Sequence, residues 1–283
     1  MFAAHNDNEG RRCALKILLP AVASAPGAAD TYIAAAEAAA GLDHPGVARV
    51  FSAGRAGPTV FVETEFLDGP PLRRVVSGGG PMSAAFSLDT ARRTAATLNF
   101  AYSRAGIVHG ALSPDNVFMC RRGAQENVPV ITDFGLAAAL VPEGARPAPD
   151  AFPFDPAFTA PELLDGERPG PPADVFSVAA IIYFTLTGFP PFTGAADAET
   201  AAMQLNDPPP PLSMAVPDAP AELEELLSQC LDKTPGARPQ NMPDLIGRIN
   251  AILSELQPPT QQQSAPRQPP PDARQEPSAT DEQ

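Results

Sequence analysis

Two short stretches organise this chain: Gly106-Ile107-Val108-His109-Gly110-Ala111-Leu112-Ser113-Pro114-Asp115-Asn116 and, close behind it, Ile131-Thr132-Asp133-Phe134-Gly135-Leu136-Ala137. The patterning differs on their two sides. Toward the N-terminus a short extended segment leads into Asn6-Asp7-Asn8-Glu9-Gly10, a turn composition, and then into a β-favouring run at 13–19. An alanine-rich helix is expected over 30–41, stopped by Gly41 and the breaker Asp43-His44-Pro45. Strands over 47–53 and 59–66, joined by a turn at 54–57, complete a small β-rich unit with one helix. Past Asp68-Gly69 helical patterning takes over, at 87–105, 174–188, 221–231 and 243–256, with Pro/Gly-rich loops at 141–161 and 206–220. From residue 257 to 283 apolar residues almost vanish. Such a segment cannot bury enough surface to offset its ordering entropy and is expected to be a disordered, solvated tail, although Pro269-Pro270-Pro271 would also suit a polyproline ligand. The chain therefore divides into 1–68, 69–256 and 257–283.

Composition narrows the function classes. A length of 283 residues suits one large domain or two lobes sharing a hinge, and 44% hydrophobic residues suffice for a buried core. The formal net charge is −14 and no Lys/Arg run exists to track phosphates, so neither nucleic acid nor an anionic membrane is an expected partner. Cys13, Cys120 and Cys230 are odd in number and far apart, and His5, His44 and His109 are equally scattered. That pattern argues against a disulfide framework or a zinc site and for a reducing, cytoplasmic setting. Residues 1–13 are polar, with no apolar signal core. The apolar run at 175–186, broken by Ser177 and Thr185, is too short to span a bilayer and reads as a buried helix.

The two opening stretches belong to a longer ordered series. Ala14-Leu15-Lys16, Leu42-Asp43-His44-Pro45 and Val62-Glu63-Thr64-Glu65-Phe66-Leu67-Asp68-Gly69 precede them. Ala160-Pro161-Glu162, Asp174-Val175-Phe176-Ser177-Val178, Gly188-Phe189-Pro190-Pro191-Phe192 and Leu231-Asp232-Lys233-Thr234-Pro235-Gly236-Ala237-Arg238-Pro239 follow. In that order these motifs resemble the protein kinase family, most of all bacterial Ser/Thr kinases of the eukaryotic type. The resemblance spans Met1 to about Leu256. It implies an α+β, two-lobed protein kinase-like fold with a small β-rich N-lobe, a larger mainly helical C-lobe and a cleft for ATP and Mg²⁺. The family's G-x-G-x-x-G-x-V loop would end on Met1, so the resemblance implies that the first strand and glycine loop are absent from this sequence, through genuine loss or a start placed too late.

Residue by residue, the resemblance assigns Lys16 to the α/β-phosphates. The glutamate that normally holds this lysine falls on Ala35, and Glu37 lies about 200° further round the helix. Lys16 is therefore expected to lack its usual partner. Thr64 stands at the gatekeeper position, and Glu65, Phe66 and Leu67 form the hinge whose backbone would read adenine. Asn116 and Asp133 match the two Mg²⁺ ligands, both supplying the hard oxygens this ion prefers. Phe134 and Gly135 complete the Asp-Phe-Gly motif. Glu162 and Arg238 match a buried ion pair, Asp174 a carboxylate bonded to the catalytic-loop backbone near His109, and His109 itself a packed structural histidine.

The catalytic loop departs from the family's H-R-D-x-K-P-x-N. Ala111 stands where an aspartate would take the substrate proton, Ser113 where a lysine would stabilise the γ-phosphate, and Gly110 where an arginine would pair with an activation-loop phosphate. General-base assistance alone is worth about 10²–10⁴ in rate. Asp115, four residues on from Ala111, belongs to a position that normally faces away from the substrate. Between 136 and 158 no Ser, Thr or Tyr exists to be phosphorylated, and the segment's usual threonine is Asp155. No intact catalytic residue is thus expected. The implied protein is a pseudokinase acting as scaffold or allosteric partner of another protein or of a partner kinase, with ATP and Mg²⁺ either retained or lost. A weak or atypical Ser/Thr kinase, and a different group transfer on the same fold, are the alternatives.

Overall fold

Two antiparallel hairpins build the small lobe of this computed structural model, which describes residues 1–256 except 24, 137, 142, 143 and 149–151. The tail expected at 257–283 lies outside the described residues. β1 (Phe2–Asn6) pairs with β2 (Arg11–Ile17) through a turn in which the Asn6 side-chain oxygen accepts the Glu9 amide at 3.2 Å. β3 (Val50–Ala56) pairs with β4 (Thr59–Glu65), and β4 also pairs with β2, giving the order β1-β2-β4-β3. After β2 come a short helix, α1 (Pro20–Ala23), and α2 (Ala28–Ala40). Ala29, Tyr32 and Ala36 of α2 pack with Leu18, Val60 and Val62 in one apolar cluster. The small alanine side chains let the helix lie close to the sheet.

The second hairpin corrects the expectation of a strand at 47–53 with a turn at 54–57. The strand runs on to Ala56, and Gly57-Pro58 alone make the turn. A two-residue hairpin turn requires a positive φ, which Gly57 supplies at +59°. Gly54 instead sits within the strand, opposite Phe61. Val47 is diverted into a parallel bridge with Ile131 of the other lobe.

The larger lobe is helical, with one further hairpin. Its elements are α3 (Leu72–Gly79), α4 (Ala84–Ala105), β5 (Val117–Arg122), β6 (Gln125–Ile131), α5 (Pro161–Leu164), α6 (Pro171–Thr187), α7 (Asp197–Asn206), α8 (Ala221–Cys230) and α9 (Met242–Leu256). Every residue of α6 from Ala173 to Leu186 is buried. A helix apolar all round belongs at the centre of a lobe, and α4, α8 and α9 share its core cluster. Among the described residues no helix is long and apolar enough to cross a membrane.

Several bounds differ from the sequence expectation for local reasons. α4 starts three residues earlier than 87 because Ser83 caps it, its Oγ accepting the Phe86 amide at 3.3 Å. α6 starts at Pro171 rather than 174, proline being suited to the first helical turn. The β5–β6 hairpin escapes sequence patterning because Arg121, Arg122, Glu126 and Pro129 mask its alternation. That hairpin matters most for function, since its ends set down the two motif-bearing loops side by side.

Candidate functional site

Val117 pairs with Ile131 at the base of the β5–β6 hairpin, and the Thr132 amide donates to the Asn116 carbonyl at 2.9 Å. Asn116 and Asp133 therefore leave adjacent strands as neighbours. Asn116 Nδ2 donates to Asp133 Oδ2 at 2.9 Å, and Lys16 Nζ reaches the same oxygen at 2.8 Å from the other lobe. Ser113 Oγ donates to Asn116 Oδ1 at 3.0 Å. Asp133 holds φ at +64°, a left-handed conformation costing a non-glycine residue about 1–2 kcal/mol, and these partners help to retain it.

On α2, Glu37 is exposed and Ala35 half-buried, so the helix sends no carboxylate toward Lys16. Asp133 supplies the ion pair instead. Lys16 keeps a third of its side chain exposed, whereas Asp133 keeps a tenth.

The loop before Asn116 hangs from Asp174. This buried carboxylate accepts the His109 amide at 2.9 Å and the Gly110 amide at 2.8 Å. Burial lifts its carboxyl to about 6 against the lowering effect of those two donors. Gly110 adopts φ +78°, a conformation that the arginine of the usual motif would enter only with strain. His109 is fully enclosed: its Nε2–H donates to the Thr132 carbonyl at 2.9 Å and its ring lies 5.3 Å from that of Phe134. Burial lowers its imidazole to about 4, so the ring is neutral and acts as a strut between the two loops. Gly135 follows Phe134 with φ +69° and closes the motif.

Ala111 is buried, and its methyl group offers no acceptor. Both nearby acids are engaged by one residue that sequence reading missed. Arg73, at the start of α3, binds Asp115 Oδ2 through Nε at 2.6 Å and Asp155 Oδ2 through Nη2 at 2.5 Å. Asp155 also accepts the Ala157 amide at 2.9 Å. Nothing local marks Arg73, whose two partners lie 42 and 82 positions away. The pair of acids opposite a lone arginine is visible only once the chain is folded.

Further out, Arg238 and Glu162 form a bidentate pair with both contacts at 2.9 Å, and the Arg238 side chain is 0% exposed. Arg238 also donates to the carbonyls of Asp232, Lys233 and Pro172. At the hinge Thr64 is buried and lies opposite Ala14. Glu65 is gripped by both Arg122 guanidinium nitrogens, Phe66 lies 3.6 Å beneath the Arg12 guanidinium, and Leu67 packs on Ala48, Cys120, Val128 and Val130. The described residues contain no group of three or more His, Cys, Asp or Glu able to hold a metal by themselves.

A sheet lobe and a helical lobe with a lysine, an asparagine and an aspartate converging between them define a protein kinase fold. The family model described as protein kinase domain matches residues 1–247. The Ser/Thr protein kinase PknA of Mycobacterium tuberculosis is 30% identical over 272 residues, covering 94% of this chain and 61% of its own length. The Ser/Thr protein kinase PknB of Mycolicibacterium smegmatis is 29% identical over 240 residues, covering 83% and 38%. This chain thus spans about three-fifths of the first relative and less of the second. The crystal structure of the Mycobacterium tuberculosis PknI kinase domain superposes with a TM-score of 0.70 at 23% identity, covering 88% of this chain and 89% of that one. The chain belongs to the protein kinase domain family.

Proposed function

We propose that this kinase domain is a catalytically inactive pseudokinase that serves as a scaffold or allosteric partner of another protein, a partner kinase included. One observation carries the reading: the proton-acceptor position holds the buried methyl of Ala111, while Asp115 and Asp155 are both tied to Arg73. Ser113, at the position of the phosphate-stabilising lysine, offers a hydroxyl already turned to Asn116. Missing general-base and electrostatic assistance each cost orders of magnitude in rate.

The nucleotide half of the cleft fits ATP better than the catalytic half fits chemistry. Asn116 and Asp133 are hard oxygen donors suited to Mg²⁺, and they would hold it together with nucleotide phosphates rather than alone. Lys16 beside Asp133 would neutralise phosphate charge, and the backbone of 65–67 below Thr64 would read adenine. Held by these residues, Mg²⁺ would supply charge neutralisation to those phosphates. Phe134, Gly135, His109, Asp174, Glu162 and Arg238 are structural in this reading. The three cysteines are buried and unpaired, consistent with a cytoplasmic setting, and a net charge of −14 disfavours nucleic acid.

The test pairs a thermal shift with ATP and Mg²⁺ with a labelled-ATP transfer assay, each run on the parent chain and on Asp133→Ala. Stabilisation that needs Asp133, with transfer no higher than in Asp133→Ala, is the expected result. Turnover of about 1–100 s⁻¹, the ordinary kinase range, overturns the proposal. The intact Lys16–Asp133–Asn116 cluster supports the alternative of a weak or atypical Ser/Thr kinase, whose signature is slow transfer abolished by Asp133→Ala.

A further inference from the structure

The helix α3 reads Leu72-Arg73-Arg74-Val75-Val76-Ser77-Gly78-Gly79, and Ser77 is its only hydroxyl. Leu72 and Val76 are its buried residues and mark the side turned to the core. At about 100° per residue, Ser77 projects about 40° from Arg73 and about 60° from Arg74, on the arc between them and one turn beyond. Helix side chains lean toward the N-terminus, which inclines the Ser77 hydroxyl toward both guanidiniums. Ser77 and Arg74 are exposed, whereas Arg73 is half-buried and reaches Asp115 and Asp155.

The end of α3 is also the part that opens most readily. Gly78 and Gly79 are helical although glycine is among the poorest helix formers, and Gly80 leaves the helix at φ +80°. A side chain added at any of the three would meet nothing within 4 Å. Ser77 can therefore lift into the extended form that a modifying enzyme grips. The Arg73 contacts to Asp115 and Asp155 join partly exposed groups, and such pairs are weak enough to exchange partners. Residues 136–158 offer no hydroxyl, and Gly110 removes the usual phosphate reader. Ser77 instead places a hydroxyl within one helical turn of the cation that holds this segment.

We propose that Ser77 is phosphorylated by a separate Ser/Thr kinase, and that the phosphoserine takes Arg73 from Asp115 and Asp155 and frees the segment before α5. In the transfer, Ser77 Oγ bonds to the γ-phosphorus of ATP held by that kinase. The bond from that phosphorus to the bridging oxygen breaks, ADP leaves, and the hydroxyl proton passes to that kinase's base. The product carries nearly two negative charges and three strong acceptor oxygens. The C-terminal turn of a helix disfavours such charge, so the phosphate gains by drawing a guanidinium across, and arginine suits it bidentately. Repulsion of Asp115 acts in the same direction. Another kinase could thereby change the surface this domain presents, whether or not the domain transfers phosphate itself.

The test has two arms, both on the full chain. In the first, phosphoserine is installed at 77 during synthesis and amide exchange is compared with the parent and Arg73→Met. Amides around 152–157 should exchange roughly three- to tenfold faster than in the parent, and phosphoserine added to Arg73→Met should bring no further change. Unaltered exchange overturns the proposal. So does an equal acceleration in the Arg73→Met background, which would mean that the phosphate acts by unwinding α3. In the second arm, parent and Ser77→Ala are incubated with ATP, Mg²⁺ and a purified Ser/Thr kinase that reads arginine three residues before serine. Mass spectrometry should find one phosphoryl group on the parent peptide carrying Ser77 and none on that of Ser77→Ala; an unmodified parent overturns the assignment. Phosphate on Ser77 without added kinase would overturn the inactivity proposed above and the need for a separate kinase, while the exchange arm would still decide the role of Arg73.

Discussion

At position 111 a buried methyl group replaces an acceptor, and at 113 a hydroxyl hydrogen-bonded to Asn116 replaces a cation. If the proposed inactivity stems from those two substitutions, Ala111→Asp with Ser113→Lys should raise labelled-phosphate transfer by about 10²-fold or more over the parent. Unchanged transfer by a variant that still binds ATP would place the deficit elsewhere in the cleft. His109 gives a second test. Its imidazole is held near 4 in the folded chain against an ordinary value of 6.5, so the unfolded chain binds the extra proton between those limits. Stability contributed by neutral His109 is full above pH 6.5 and is lost as pH falls from there toward 4. The destabilisation caused by His109→Phe should therefore shrink by about 2 kcal/mol between pH 7 and pH 5, read from denaturant titrations of both proteins. A pH-independent difference would show that His109 titrates normally.

Among the elements, α3 and the segment leading to α5 are coupled through Arg73. In many kinases a phosphorylated residue orders this segment; here residues 136–158 contain no hydroxyl side chain, and Asp155 is already held by a cation from α3. The guanidinium also stacks 5.2 Å from the Phe158 ring. Arg73→Met should speed amide exchange and proteolysis around 152–157 while costing only about 1 kcal/mol overall, since all three charged groups are partly exposed. The parent should approach the variant's exchange rates at about 1 M salt, where the Debye length is ~3 Å. Exchange rates indifferent to both changes would mean that packing at Phe158 holds the segment by itself.

For the molecule as a whole, the Glu162–Arg238 pair has the largest consequence, because it is fully enclosed and joins α5 to the loop before α9. Glu162→Gln leaves a buried guanidinium without its counter-charge, a change that typically costs about 3–5 kcal/mol. Against a usual total of ~5–15 kcal/mol, that variant should show a large fall in denaturant midpoint or fail to accumulate. A midpoint near that of the parent would mean that the carbonyls of Asp232, Lys233 and Pro172 satisfy Arg238 alone.

The ordered motifs made the two-lobed fold legible in the sequence, because loop chemistry such as Ser-Pro-Asp-Asn and Asp-Phe-Gly is written in contiguous residues. The same holds for the losses at Ala111 and Ser113, which need only a position to be recognised, and for the buried helix around 175–186. Boundaries were less legible where one residue set them, as Ser83 and Gly57 do, and α3, α7 and the β5–β6 hairpin went unseen because exposed charges blurred their periodicity. Folding alone decided which charges meet. Lys16 takes Asp133 in place of a helix glutamate, and Arg73 finds Asp115 and Asp155. Such pairings depend on distances between segments remote in the chain, and local pattern carries no information about those distances.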